Sequence, residues 1–226
     1  MFSVSVIIPT YKRPCQLSRV LLILAIQEFT DFEVIVVDDS PDSQTMEAIA
    51  NLNIKPVNLT YIKRSDLGFR VASARNDAIS LARSEVLIGI QDATEPGPTL
   101  IQEHFQAVIG SNIFSIGAVR NNKDDPYSDD RELLKLLDYN NLWKHAWGRN
   151  FALSTSKAKE IKFDEDFDGA YGFEDVAFGL SCERAGLKLI WNREAWCYQL
   201  SRKQPEGQRH QDKQLEKLVL KYGVWP

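Results

Sequence analysis

Apolar residues along this chain fall into short β-branched runs separated by stretches in which they recur at helical spacing. Ser3 to Ile8 reads as a strand that stops at Pro9, because proline has no N–H to give to a sheet ladder. After Pro14, the positions Leu17, Val20, Leu21, Leu24 and Ala25 recur as one helix face. Phe32 to Val37 is apolar at nearly every residue and closes on Asp38 and Asp39, which predicts a strand buried on both faces. Leu59 to Ile62 gives a third strand, Val71 to Ala82 a helix, and Val86 to Ile90 a fourth strand followed by Gln91 and Asp92. This β-α-β-α-β-α-β order implies a parallel sheet with right-handed crossovers.

The second half is less regular. A helix is expected from near Pro98 to Ile109, a strand over Ile113 to Val119, and a polar, turn-rich surface loop over Asn121 to Asp130. Apolar pieces at Leu133 to Leu137 and Phe151 to Leu153 precede a Gly-rich stretch from Gly169 to Gly172 and a helix from Glu174 to Ala185. A last helix, from Gln211 to Leu220, carries Leu215, Leu218 and Val219 on one face.

Composition narrows the class. Of 226 residues 44% are hydrophobic and 26% charged, with only 12 Gly and 9 Pro, so a folded globular chain is expected. Net charge is -4 and the basic residues are scattered, which gives no nucleic-acid footprint. The longest apolar run, Val20 to Ile26, falls far short of the roughly 20 residues a membrane span needs. No signal peptide is read, and peripheral membrane association stays open. Cys15, Cys182 and Cys197 form neither an even set nor a C-x-x-C pair, so a reducing cytoplasm is the expected location. His104, His145 and His210 show no zinc-hydrolase spacing.

In an open parallel sheet, ligands bind beyond the carboxyl ends of the strands. Here those ends are polar: Pro9, Thr10, Tyr11, Lys12 and Arg13; Asp38, Asp39 and Ser40; Lys63, Arg64 and Ser65; Gln91, Asp92 and Thr94. Asp39 or Ser40 would alternatively cap the helix near Ser43. No G-x-G-x-x-G and no P-loop follows the first strand, so dinucleotide and P-loop chemistry do not fit.

These residues carry a resemblance. Ser5-Val6-Ile7-Ile8-Pro9-Thr10-Tyr11-Lys12-Arg13-Pro14 and Phe32 to Ser40 resemble the opening of family 2 glycosyltransferases with the GT-A fold. Gly68-Phe69-Arg70 with Ala74-Arg75-Asn76 is similar to the segment before that family's D-x-D strand, and Asp92-Ala93-Thr94-Glu95-Pro96-Gly97-Pro98 stands where D-x-D belongs. Phe163-Asp164-Glu165-Asp166-Phe167 and Gly172-Phe173-Glu174-Asp175 resemble the acceptor-side motif of galactosyltransferase-like and chondroitin-polymerase-like members.

The resemblance implies an α/β GT-A domain over residues 1–226, with a nucleotide-sugar-binding half (1–120), an acceptor-binding half (121–200) and a C-terminal lid and helix (201–226). It implies an inverting, cytoplasmic hexosyl- or N-acetylhexosaminyltransferase of polysaccharide biosynthesis. Its partners would be a nucleotide-sugar donor, UDP-linked in the first instance, and a glycan or lipid-linked acceptor. Pro9, Thr10, Tyr11, Arg13, Asp38, Arg75 and Asp92 would bind the donor, and Asp175 would take the acceptor proton with Glu174 beside it. Mn or Mg would sit at Asp92 and Thr94, with Glu95 and Gln199 as further contributors. Thr94 replaces the second acid of D-x-D and Gln199 the late histidine; hydroxyl and amide oxygens hold hard cations more weakly than carboxylates. Arg202 and Lys203 are then candidates for neutralising the diphosphate. A member that binds nucleotide sugar or glycan without turnover is the alternative. Trp143 and Trp147, four apart, are read as core more readily than as a sugar platform.

Overall fold

The structure is a computed structural model that describes residues 2–56, 58–65, 68–120, 139–200 and 211–226. The loop expected over Asn121 to Asp130, the apolar piece Leu133 to Leu137, and the candidates Arg202 and Lys203 lie outside the described residues.

The continuous apolar runs become the centre of the sheet. In β1 (Val4–Thr10), β2 (Phe32–Asp38) and β4 (Val86–Ile90) every residue is buried. Successive side chains of a strand point to opposite faces, so each strand feeds two cores. Ile7, Ile35, Val37 and Leu87 pack with Ala72, Ala78 and Ile79 of helix α3 (Val71–Leu81) on one face. Val6, Ile8, Val34 and Val36 pack with Leu17, Val20, Leu21 and Leu24 of helix α1 (Pro14–Leu24) on the other. Glu33, near the start of β2, is fully compensated: it accepts hydrogen bonds from Ser5 Oγ at 2.7 Å, Arg83 N at 3.0 Å and Arg83 Nη2 at 3.1 Å.

Strand β3 (Leu59–Lys63) pairs parallel with β2, and β1 pairs parallel with both β2 and β4. With β5 (Thr94–Pro96), β6 (Ile113–Arg120), β7 (Asn150–Ser154) and β8 (Lys188–Gln199), the full order is β3-β2-β1-β4-β7-β6-β8-β5. Helices α2 (Gln44–Ala50) and α4 (Leu100–Val108) complete the winding of the first half. Strand β7 (Asn150–Ser154) is the turning point: it runs antiparallel to β4 on one side and to β6 (Ile113–Arg120) on the other. Strand β8 (Lys188–Gln199) pairs parallel with β6, with a bulge opposite Gly117 and Ala118. Helices α5 (Thr155–Ile161), α6 (Glu174–Arg184) and α7 (Gln211–Tyr222) cover the second half.

Two readings of the sequence need correction here. Strand β1 does not stop before Pro9 but runs through it, in register with Val37 of β2. The ladder to β4 has already ended at the pair Ile7 and Gly89, so the missing N–H costs no sheet bond on that side. Thr94, expected among the polar residues at the end of β4, instead begins a short strand of its own, β5 (Thr94–Pro96), antiparallel to β8.

Close packing at the β4–β7 seam supplies a test. A side chain at Gly89 would enter the ring of Phe151, which is 1% exposed and stacked on Phe114 at 5.6 Å, so the ring has nowhere to go. Gly89→Val is expected to destabilise the fold by about 1–3 kcal/mol through overpacking, read as a lower melting temperature. An unchanged melting temperature would mean that this seam is not packed as described.

Candidate active site

Carboxyl ends of β1, β2 and β4 meet at one edge of the sheet, and the residues there are bonded to one another. Asp92, 6% exposed just past β4, accepts from Thr10 Oγ1 at 2.9 Å and Arg13 Nη1 at 3.2 Å. Burial raises its carboxyl above the usual range, and the Arg13 charge opposes that rise. Asp38, at the end of β2, is wholly buried; its Oδ1 accepts from Ser40 N at 2.8 Å and its Oδ2 from Tyr61 Oη at 2.7 Å, with Lys63 Nζ at 3.4 Å. Asp39 pairs with Arg64 Nε at 3.2 Å, and Ser40 Oγ accepts from Lys12 N at 2.8 Å. Neither caps α2; Asp42 Oδ1 instead accepts from Gln44 N at 3.2 Å.

The second carboxylate group is assembled from three distant segments. Arg75 lies on α3 and is 1% exposed, a charge that can be buried only if paired. Its Nη1 donates to Glu174 Oε1 at 2.9 Å, its Nη2 to Gly148 O at 3.2 Å, and its guanidinium lies over Phe163 at 4.9 Å. Gly148 N in turn donates to Asp175 Oδ2 at 2.7 Å, and Val176 N to Asp175 Oδ1 at 2.8 Å. A Cβ at Gly148 would collide with the Arg75 guanidinium, so only glycine lets both of its backbone groups serve this bracket. Glu174 and Asp175 are the first two residues of α6, where acids also meet the positive end of the helix dipole. Burial and then the Asp175 charge raise Glu174 to about 7, with Arg75 opposing. Asp175 is only partly buried, which leaves it the exposed member of the pair.

Backbone strain sits at both ends of this arrangement. Lys12, just after β1, has φ 55 and Phe173, before α6, has φ 69; both are left-handed conformations uncommon for side chains of that size. Tyr11 and Phe69 meet edge to face at 6.1 Å, and Phe69 lies 6.4 Å from Tyr171, so an aromatic chain joins the β1 end to the loop before Asp175. Burial raises the Tyr171 hydroxyl, and it feels the charges of Asp175, Arg149, Glu174 and Arg13.

Other expected site residues are engaged differently. Thr94 Oγ1 donates to Gln91 O at 2.8 Å, and in the sheet Thr94 stands opposite Gln199, whose Oε1 accepts from Arg149 Nη1 at 2.9 Å. Glu95 is ion-paired with Arg19 of α1. Successive strand residues point to opposite faces, so Glu95 and Thr94 do not share one. This donor set does not fit a divalent cation held by the protein: of its two carboxylates Glu95 is taken by Arg19, which leaves Asp92, and no group of three or more His, Cys, Asp or Glu is placed to bind a metal among the described residues. Phe163 and Phe167 belong to the core, while Asp164 and Asp166 hold Lys221 of α7. Trp143 is core, as read, and Trp147 packs against it partly exposed.

Gly148, Arg149 and Tyr171 were not singled out from sequence. The signal for Arg149 is topological: β7 is antiparallel, so its beginning, not its end, reaches the edge where β4 finishes, with Asn150 opposite Ile90.

Comparison with known proteins bears on this edge. The profile described as Glycosyl transferase family 2 matches residues 5–171. Validoxylamine A glucosyltransferase of Streptomyces hygroscopicus subsp. jinggangensis (strain 5008) is 29% identical over 229 residues, 85% of this chain and 54% of that protein. The chain thus spans about half the length of the curated relatives it matches first. Among solved structures, the mannosyltransferase PcManGT from Pyrobaculum calidifontis, in complex with GDP-Man and Mn2+, is similar with TM-score 0.69 and 21% identity, covering 98% of this chain and 63% of that one. S. aureus TarS in complex with UDP-GlcNAc is similar with TM-score 0.65 and 20% identity over 91% and 60% of the two chains. No helix among the described residues is long and apolar enough to cross a membrane. The architecture is the GT-A fold, and the chain belongs to glycosyl transferase family 2.

Proposed function

We propose that this chain moves a hexosyl or N-acetylhexosaminyl group from a nucleoside-diphosphate sugar, UDP-linked in the first instance, to a hydroxyl of a glycan or lipid-linked acceptor, with inversion at the anomeric carbon. The observation that carries the reading is the held but partly exposed Asp175 carboxylate, fixed by Gly148 N and Val176 N beside the Glu174 that is paired with Arg75. In the step, the acceptor O–H proton passes to Asp175 while the acceptor oxygen forms a bond to the anomeric carbon. The bond from that carbon to the phosphate oxygen breaks, and its electron pair leaves with the nucleoside diphosphate. A sugar hydroxyl is a poor nucleophile, and a positioned carboxylate base contributes roughly 10² to 10⁴ in rate. Support for the donor class comes from the UDP-GlcNAc and GDP-Man complexes of the two structural neighbours and from the polar ends of β1, β2 and β4. Asp38, buried among Tyr61, Ser40 and Lys63, is the proposed contact to the base.

Binding is tested first. UDP or a UDP-sugar is expected to raise the melting temperature of the folded chain by mass action, and Asp38→Ala to remove that rise. A variant that stays folded and keeps the full rise would move the base site elsewhere. Asp175→Asn is expected to leave the thermal shift intact and to lower transfer by about a hundredfold or more at saturating donor. Unchanged turnover would remove Asp175 from the role, and a product that keeps the donor's anomeric configuration by NMR would exclude the single displacement.

Glu174 gives a pH test. The folded chain holds its proton up to about 7, whereas the ordinary value is 4.5, so the folded state binds more protons in that window. Stability contributed by this group is therefore present at low pH and lost as pH rises through it. Glu174→Gln is expected to flatten that part of the melting-temperature profile and to retain more transfer than Asp175→Asn. Loss of transfer in Glu174→Gln alone would reverse the two roles.

A further inference from the structure

Departure of a nucleoside diphosphate develops negative charge, which must meet a positive charge already in place. Most guanidinium and ammonium groups at this edge have an acid partner, while Lys12 Nζ lies over the Tyr11 ring at 5.1 Å. Arg13 is neutralised by Asp92, Lys63 by Asp38, Arg64 by Asp39 and Arg75 by Glu174, at 3.2, 3.4, 3.2 and 2.9 Å respectively. Arg149 differs: its guanidinium is held by a neutral amide, Gln199 Oε1 at 2.9 Å, and lies over Trp147 at 5.2 Å. No carboxylate pairs with it among the described residues. An amide acceptor and an aromatic face orient a guanidinium while leaving its charge and its remaining N–H donors available.

Its location suits an anion. Arg149 directly follows Gly148, which fixes Asp175, and precedes Asn150, which stands opposite the last residue of β4. Asn150 itself is anchored, with Nδ2 donating to Ala118 O at 3.1 Å and Ala195 O at 2.8 Å, so the backbone carrying Arg149 is rigid. Gln199 is paired in the sheet with Thr94, two residues beyond Asp92. Arg149 is thus linked to the Asp175 side through the adjacent Gly148 and to the Asp92 side through Gln199 and Thr94. No cluster of three or more His, Cys, Asp or Glu suited to a divalent cation is present among the described residues.

We propose that Arg149, oriented by Gln199 and Trp147, is a diphosphate-binding residue that supplies at this site the positive charge a protein-held metal would otherwise supply. The inference rests on the nucleotide-sugar reading above and specifies how that site recognises the leaving group. A guanidinium binds two phosphate oxygens through parallel N–H donors, so it favours a diphosphate over a monophosphate more than a lone ammonium does.

The test is calorimetric titration of the full chain with UDP, UMP and uridine, and with GDP and GMP, in excess EDTA and again with Mn. In EDTA the diphosphates are expected to bind about tenfold or more tightly than the monophosphates. Arg149→Met is expected to erase most of that gap while leaving monophosphate affinity within about twofold, and Arg149→Lys to keep part of it. Gln199→Glu, which hands Arg149 an acid partner, is expected to narrow the gap with the melting temperature unchanged, so the result does not depend on one substitution folding. A gap that appears only when Mn is added, or that survives Arg149→Met in a folded chain, overturns the proposal and leaves the nucleotide-sugar reading standing. Absence of binding by every nucleotide in both conditions overturns both.

Discussion

A guanidinium with 1% exposure must be compensated on every side or it would cost several kcal/mol, and the organisation of the catalytic edge follows from how Arg75 is compensated. Its partners come from α6, from the segment leading into β7, and from the ring of Phe163, so one side chain on α3 ties three separate stretches of the second half to the first. The same Gly148 that accepts from Arg75 donates to Asp175, and the following residue is Arg149. The proposed base and the proposed cation are therefore both tied, through Gly148, to one buried ion pair. Around it the scaffold is stiff: Asp168 accepts from Ala72 N at 2.9 Å where α3 lacks a side-chain cap of its own, and Asn76 both donates to Phe163 O and accepts from Phe163 N.

Much of the first half was legible in the sequence, for a plain reason. Strands buried on both faces must be apolar at nearly every residue, and β1, β2 and β4 announce themselves in that way. Pro9 misled because the rule against proline in a ladder applies to the side where a neighbour still pairs, and where β4 stops cannot be read from β1. Helix α5, with the polar sequence Thr155 to Ile161, is too short to show a periodicity. Strand β5 has three residues and exists because β8 lies beside it.

The site divides along the same line. Residues at the ends of parallel strands, such as Asp38 and Asp92, follow from the rule that ligands bind there. Gly148 and Arg149 do not, because the rule presumes that strands run one way; only the pairing of β7 with β4 shows that its incoming end shares the edge. The partnership of Thr94 with Gln199 was equally hidden. Each stands as a departure from the family pattern in isolation, yet the two face each other across one strand pair, and Arg149 is bonded there. Charge bookkeeping added what spacing could not: most cations of the edge have an acid, whereas Arg149 is held by an amide.

The insertion of β7 between β4 and β6 also bears on how the chain reaches its native state. Val86 of β4 pairs with Ser154, so a large loop must close before the second edge of β4 is covered. The parallel unit of β1 to β4 has adjacent pairing partners available as soon as its own residues are present, but until β7 arrives it ends in a short, wholly apolar strand with open N–H and C=O groups. Such an edge is a template for pairing with another chain. The step that brings Gly148 and Arg149 to this edge is thus the step that ends this exposure, so assembly of the proposed site and protection from aggregation are one event.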